Sequence, residues 1–208
     1  MLTNKKEKAL ITRQAILDAA EEVFFETGFS GATLEKIAQC SGVTRGAIYW
    51  HFANKTEVLE AVIDRTGSFY EEALDRITRE ASSLDEFEDF IITLLRGIAR
   101  DKKKQRSLSI ILLRHEYLAS ETSIVTKESE VHERVVKMLT HFFLRIHRDS
   151  GAPLSANQAR LQAQAFQFYT HGILLKFLMC PEKIPLAREA GRYIRLFFTT
   201  FRVSLPRP

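Results

Sequence analysis

Arg45, Tyr49, Trp50 and His51 crowd into one short stretch of the chain, TLEKIAQCSGVTRGAIYWHF (residues 33–52), and their side-chain types are those that handle nucleic acid. Arginine can donate two parallel hydrogen bonds to a guanine edge, a pairing worth about 1–3 kcal/mol of discrimination. Tyrosine, tryptophan and histidine combine flat apolar bodies with donor groups, a poor choice for a solvated helix face unless something docks there. Gly46 lies among them, and a helical glycine costs roughly 1 kcal/mol relative to alanine. It needs a compensating reason, such as a backbone that lies close to a groove. Ala47 has two readings that both stand: a methyl contact to thymine, or a side chain kept small so that the helix can approach.

These residues need a scaffold, and the same stretch supplies one. Thr33 has the type and place of an N-cap, Leu34, Ile37 and Ala38 form an inward stripe at helical spacing, and Ser41-Gly42 breaks the helix. Thr44 caps a second helix in which Ile48 and Phe52 face inward, leaving Arg45, Gly46, Ala47, Tyr49, Trp50 and His51 over the rest of its surface. The pattern is that of a helix-turn-helix. Caps, a glycine turn and an apolar stripe would also serve an ordinary helical hairpin; the composition of the second helix favours the DNA-reading form. Beyond Phe52, Asn54 and Glu57 have the spacing of a capping box, with Lys55 beside the first N–H groups of the next helix, where phosphate is favoured.

GVTRGAIYWHF followed by NKTEVLEAV resembles the signature of TetR family transcriptional regulators, and within them the AcrR-like branch that represses multidrug efflux genes. The likeness begins at TRQAILDAAEEVFFETGFSGATLEKIA and covers roughly residues 10–65; a weaker one returns in GILLKFLMCPEKIPLAREAGRYI. At Arg114-His115-Glu116-Tyr117 the chain departs from relatives, which commonly read His-Lys-Cys-Glu there. The resemblance implies that Thr44, Arg45, Gly46 and Ala47 form the base-facing edge of a recognition helix, that Tyr49, Trp50, His51 and Lys55 hold phosphates, and that Thr33 joins the DNA-facing set. It also implies a homodimer on a palindromic operator in double-stranded DNA and a small hydrophobic or amphipathic effector.

Composition narrows the remaining classes. The 208 residues are 45% hydrophobic, enough for a sizeable core, and carry a net charge of +4 with a pI near 9.1. Acids and bases nearly balance over residues 1–65, so DNA affinity would have to come from local placement of Lys5, Lys6, Lys8, Arg45 and Lys55. Lys5 to Lys8 read either as an arm on the duplex or as a solvated terminus. No apolar run is long enough to span a bilayer and no signal peptide is recognisable, so a soluble cytoplasmic protein without a membrane partner is expected. Cys40 and Cys180 have no metal spacing and are expected to be buried and inert, with oxidant sensing as the other reading. The six histidines form no helical metal pair, and no phosphate-cradling loop or nucleophile elbow occurs. No enzyme, no metal and no cofactor is expected.

Periodicity predicts an all-α chain of about nine helices, divided into an N-terminal helix-turn-helix domain (1–53), a connecting helix (54–81) and a C-terminal domain (82–208) for which the resemblance implies ligand binding and dimerisation. The charged run 100–106 reads as a solvated connection, with an approach to DNA or an acidic surface as the other possibility. The last two helices, 156–179 and 186–202, are apolar on more than one face. Phe168, Leu175, Tyr193, Phe197 and Phe201 are therefore expected at a dimer interface. Most of the 15 phenylalanines lie in the C-terminal region. Phe87, Phe90, Ile91, Leu94, Ile110, Leu113, His115, Tyr117, Phe143, Gln162, Phe166 and Tyr169 are candidates to line an effector pocket, an aromatic set that would otherwise be plain core. Two other functions remain open at this point: repression of a lipid or aromatic metabolism operon, and a DNA-associated structural role without ligand regulation.

Overall fold

A computed structural model describes residues 2–113 and 122–202. Among these the chain is all-α: α1 (Leu2–Gly31), α2 (Leu34–Ser41), α3 (Arg45–His51), α4 (Lys55–Glu80), α5 (Leu84–Arg100), α6 (Lys102–Leu113), α7 (Thr122–Asp149), α8 (Ala156–Met179) and α9 (Leu186–Arg202). Local chemistry marks most of the boundaries. Gly28 interrupts α1 with φ 70° and ψ 175°, a backbone region open essentially to glycine alone. Ser83 accepts from the Glu86 N–H, and the Glu86 carboxylate accepts from the Ser82 N–H and hydroxyl. Ser155 and Gln158 close a reciprocal capping box at the start of α8.

The expectation of a solvated connection over 100–106 is corrected. Asp101 accepts from the backbone N–H groups of Lys103 (2.9 Å) and Lys104 (3.2 Å) and so caps a helix that starts at Lys102. Gln105 donates to the carbonyls of Ile98 and Ala99 at the end of α5. The lysine run is a helix surface.

Two compact units result, one comprising residues 1–68 and 106–127, the other 69–105 and 128–208. The first therefore includes a segment that the sequence reading gave to the C-terminal domain. Its core gathers Ile16, Leu17, Ala20, Phe24, Ile37, Ile48, Phe52, Val58, Leu59 and Val62, joined by Ile110 of α6. Polar contacts bind the same segment. The Glu21 carboxylate, on a residue 2% exposed, accepts from the Ser107 hydroxyl at 2.9 Å and pairs with the Arg65 guanidinium. Arg65 also reaches Asp18 and Gln14. Lys127 pairs with Asp64 at 2.7 Å.

The second unit is centred on Phe87, whose ring lies 4.5 Å from Phe142, 5.4 Å from Phe166, 6.1 Å from Phe198 and 6.2 Å from Phe143 between centroids. Such spacings are those of mutually tilted aromatic packing. Arg145 donates to the carbonyls of Thr78 and Ala81, both at 2.8 Å, which satisfies the end of α4. Tyr169 donates to the Tyr193 carbonyl at 2.8 Å, linking α8 to α9. His147 is buried beside Gln162 and the Ala152 backbone, and neither ring nitrogen makes a well-formed hydrogen bond.

Two stability measurements follow from these contacts. Arg65→Ala leaves the Glu21 carboxylate buried without its cation, so a loss on the order of 2 kcal/mol is expected in urea unfolding, reduced from the usual 3–5 by the partial exposure of Arg65. Lys127→Ala, at an exposed pair, should cost less than about 1 kcal/mol. Burial pushes the His147 pKa below its ordinary value of 6.5. The folded state then binds fewer protons than the unfolded one, so stability is complete above that ordinary value and declines as pH falls through it. Urea midpoints recorded between pH 7.5 and 5 should show this decline, and His147→Leu should reduce it; His51, shifted in the same direction, contributes to what remains.

Candidate nucleic-acid interface

The α2–α3 corner is built by three local devices. Thr33 accepts from the Lys36 N–H at 3.2 Å and starts α2. Gly42 ends it in the left-handed region at φ 69°, and the Val43 N–H reaches back to the Ala38 carbonyl at 3.2 Å, the six-to-one bond of a Schellman turn. Thr44 then accepts from the Ala47 N–H at 3.1 Å to start α3. Ile48 and Phe52 anchor α3 in the core and turn the rest of the helix outward.

Arg45, Gly46, Tyr49 and Trp50 are exposed on that helix, Trp50 with 69% of its surface, while Ala47 and His51 are half-buried. Thr33 and Thr44 are exposed as well. A Cβ added at Gly46 would meet only the Thr44 hydroxyl, at 3.9 Å, so the fold itself has room for a larger residue there. Burial first and the Arg13 guanidinium second push the His51 pKa down, which favours the uncharged ring. Its ring meets Trp50 edge-on at 4.5 Å. The Arg45 guanidinium pairs with Glu35 of α2 at 2.6 Å and donates to the Tyr49 hydroxyl at 3.1 Å. Glu35 went unremarked in the sequence; an acid in the first turn of a helix needs no further explanation until its partner is known.

Lys55 also has partners within the chain. Its ammonium donates to the carbonyls of Phe29 (2.6 Å) and Ala32 (3.0 Å) and lies 4.3 Å from the Phe29 ring centroid. Two of its three N–H bonds close the α1–α2 junction, so its role within the chain is to anchor α4. The thiols are corrected: Cys40 and Cys180 are exposed. Partial burial and the neighbouring Glu22 carboxylate raise the Cys40 pKa, which disfavours the reactive thiolate.

In the second unit Phe87, Ile91, Phe143 and Phe166 are fully packed core residues, and Phe90, Leu94 and Tyr169 are half-buried. Gln162 is buried with its amide NH2 lacking a partner. Ile110 lies in the core of the first unit, and the half-buried Leu113 belongs to the same unit. His115 and Tyr117 lie outside the described residues. Of the expected interface residues, Phe168 is 62% exposed, Leu175 is half-buried on the same stripe of α8, and Tyr193 and Phe197 are half-buried. Phe197 packs on Phe166 and Tyr169. The Phe201 side chain lies outside the described residues. The sequence reading missed Leu161, Met179 and Leu196, all exposed. Leu161, Phe168, Leu175 and Met179 recur at helical spacing, which was the available signal.

A capped two-helix corner whose second helix turns an arginine, a glycine and aromatic donors outward defines a helix-turn-helix DNA-binding protein. Residues 16–62 match the family described as "Bacterial regulatory proteins, tetR family". The HTH-type transcriptional repressor BepR of Brucella suis biovar 1 (strain 1330) is 31% identical over 199 residues, 95% of each chain. The chain belongs to the TetR family of bacterial transcriptional regulators. Among solved structures it is similar to the SmeT–triclosan complex, with a TM-score of 0.80 and 26% identity over 91% of each chain. SmeT is the repressor of the Stenotrophomonas maltophilia multidrug efflux pump SmeDEF. NalD, the secondary repressor of the MexAB-OprM multidrug efflux pump in Pseudomonas aeruginosa, superposes with a TM-score of 0.77 and 25% identity over 97% of this chain and 98% of its own. No described helix is long and apolar enough to cross a membrane. Among the described residues, no group of three or more His, Cys, Asp and Glu could hold a metal ion.

The two glycines of the corner should separate in a thermal melt. Gly42→Ala forces a Cβ into the left-handed region and is expected to cost about 1 kcal/mol or more. Gly46→Ala meets no obstruction and is expected to leave stability unchanged or raise it by up to about 1 kcal/mol.

Proposed function

We propose that the protein is a cytoplasmic, non-catalytic homodimeric repressor that occupies a palindromic operator in double-stranded DNA, is released by a hydrophobic or amphipathic small molecule, and controls efflux pump genes. The observation that carries this reading is Gly46. It is exposed beside Arg45, Tyr49 and Trp50 where the fold has room for a side chain, so its advantage lies in what approaches α3 from outside. A base-pair edge in the major groove is such a surface. Arg45 and Ala47 read bases, and Tyr49, Trp50 and His51 hold phosphates.

One recognition helix contacts few base pairs, and a two-fold pair reads half-sites about one helical turn apart. The exposed Leu161, Phe168 and Met179 of α8 and Leu196 of α9 offer the apolar surface for that pairing. Release by a ligand requires tighter binding to the DNA-incompetent form. Coupling of about 1–3 kcal/mol would weaken operator binding some 5- to 150-fold. The likeness to SmeT, which binds triclosan, and to NalD, both repressors of multidrug efflux pumps, supports both the class of effector and the regulated genes.

Capture of genomic fragments on the purified protein at near-physiological salt tests the reading. One palindrome beside a promoter should be enriched, and Arg45→Ala should bind it about 5- to 150-fold more weakly while scrambled DNA changes little. Added triclosan should weaken the operator complex. Uniform recovery that vanishes with modest salt would instead mark a DNA-associated structural protein. Sedimentation showing only monomer at micromolar concentration would remove the dimer.

A further inference from the structure

The DNA-facing corner carries an acid where an anion-binding surface has least use for one. Glu35 Oε1 lies 2.6 Å from Arg45 Nη1, both side chains are more than half exposed, and the pair bridges α2 to α3. On the other side of the guanidinium, Nη2 donates to the Tyr49 hydroxyl at 3.1 Å, and the guanidinium carbon lies 5.4 Å from the Tyr49 ring centroid. Stability does not account for this arrangement. An ion pair this exposed contributes little to stability, because both charges stay solvated and screened. The first-turn position of Glu35 accounts for an acid on α2, yet not for its grip on a residue of the next helix.

Consider what Glu35 does to an arginine at the start of a recognition helix. A guanidinium has five N–H donors in a rigid fork. Glu35 and Tyr49 each take one, which leaves three, including Nε, enough for the two parallel bonds of a guanine edge. A free arginine in the same place would be drawn to whichever phosphate lay nearest, a contact that every DNA sequence offers. Glu35 neutralises that pull, so the guanidinium gains most where a base edge supplies directed acceptors as well as charge. We infer that Glu35 is a specificity-determining residue that acts through Arg45, holding its guanidinium toward base edges and withholding it from phosphates. This rests on the operator-binding reading above and adds to it a residue that does not itself need to touch DNA.

The test is a double-mutant cycle of Glu35→Gln and Arg45→Ala, reading dissociation constants for the captured operator, for operators changed at single base pairs, and for scrambled DNA across a salt series. Glu35→Gln is expected to bind scrambled DNA roughly 3- to 10-fold tighter, with the salt slope steeper by about one phosphate contact. Operator affinity should change less, so discrimination falls by at least about threefold, with the loss concentrated at the base pair whose readout Arg45→Ala also abolishes. In the Arg45→Ala background Glu35→Gln should leave discrimination unchanged. Equal gains on operator and scrambled DNA would reduce Glu35 to a repelling charge and overturn the inference, as would a loss of discrimination that persists without Arg45. Wild-type protein that does not discriminate operator from scrambled DNA at all would overturn the repressor reading and this inference with it, an outcome distinguishable from the other two before any variant is made.

Discussion

The Glu21 carboxylate is an expensive group to bury, because a charge taken from water is tolerated in a protein interior only when paired and hydrogen-bonded. Glu21 finds its cation on α4, at Arg65, and its hydroxyl on α6, at Ser107, so three helices far apart in sequence have to assemble for the group to be satisfied. Ile110, one turn beyond Ser107, enters the same core as Ile16, Phe24 and Ile48. A segment of the chain's second half thereby becomes a structural part of the unit that carries the recognition helix. The polar node supplies register, since a half-satisfied buried network is costly, and the apolar side chains around it supply most of the burial.

The recognition surface depends on this platform through a few anchors. Ile48 and Phe52 fix which face of α3 points inward, Lys55 ties the start of α4 to the carbonyls ending the α1 region, and the Gly42 turn sets the angle between α2 and α3. With those settled, the outward placement of Arg45, Gly46, Tyr49 and Trp50 follows from helical geometry alone. Electrostatics at the corner is local as well. The first 65 residues are close to neutral, and what matters is that Arg45 is shared with Glu35 and Tyr49, that Lys55 donates to backbone carbonyls, and that burial and Arg13 push the His51 pKa down. The net charge of the chain conveys none of this.

The second unit depends on packing rather than on charge. Phe87 sits among four other phenylalanines contributed by α7, α8 and α9, so the aromatic abundance seen in the sequence serves the core first. Its buried polar residues include Thr78, Glu88, His147 and Gln162; the half-buried Arg145 completes the end of α4, while His147 and Gln162 keep unsatisfied nitrogens. The exposed apolar stripe of α8 runs along a helix whose other face is already occupied by Phe166 and Phe177.

The sequence by itself determined whatever depends on neighbours three or four residues away: the caps at Thr33 and Thr44, the break at Gly42, the inward stripes, and the chemical character of α3. The helix-turn-helix, most helix boundaries and the family likeness were legible for that reason. One local signal was misread, because three consecutive lysines masked the cap at Asp101. Tertiary structure alone decided the rest. Ser107 and Glu21 are 86 residues apart, Lys55 and the Phe29 carbonyl are 26 apart, and Glu35 and Arg45 belong to different helices. No periodicity relates such pairs, since each depends on where a folded neighbour brings a complementary group. The same holds for Ile110, whose apolar character suits either unit, and for Cys40, whose exposure depends on which side of α2 faces α1.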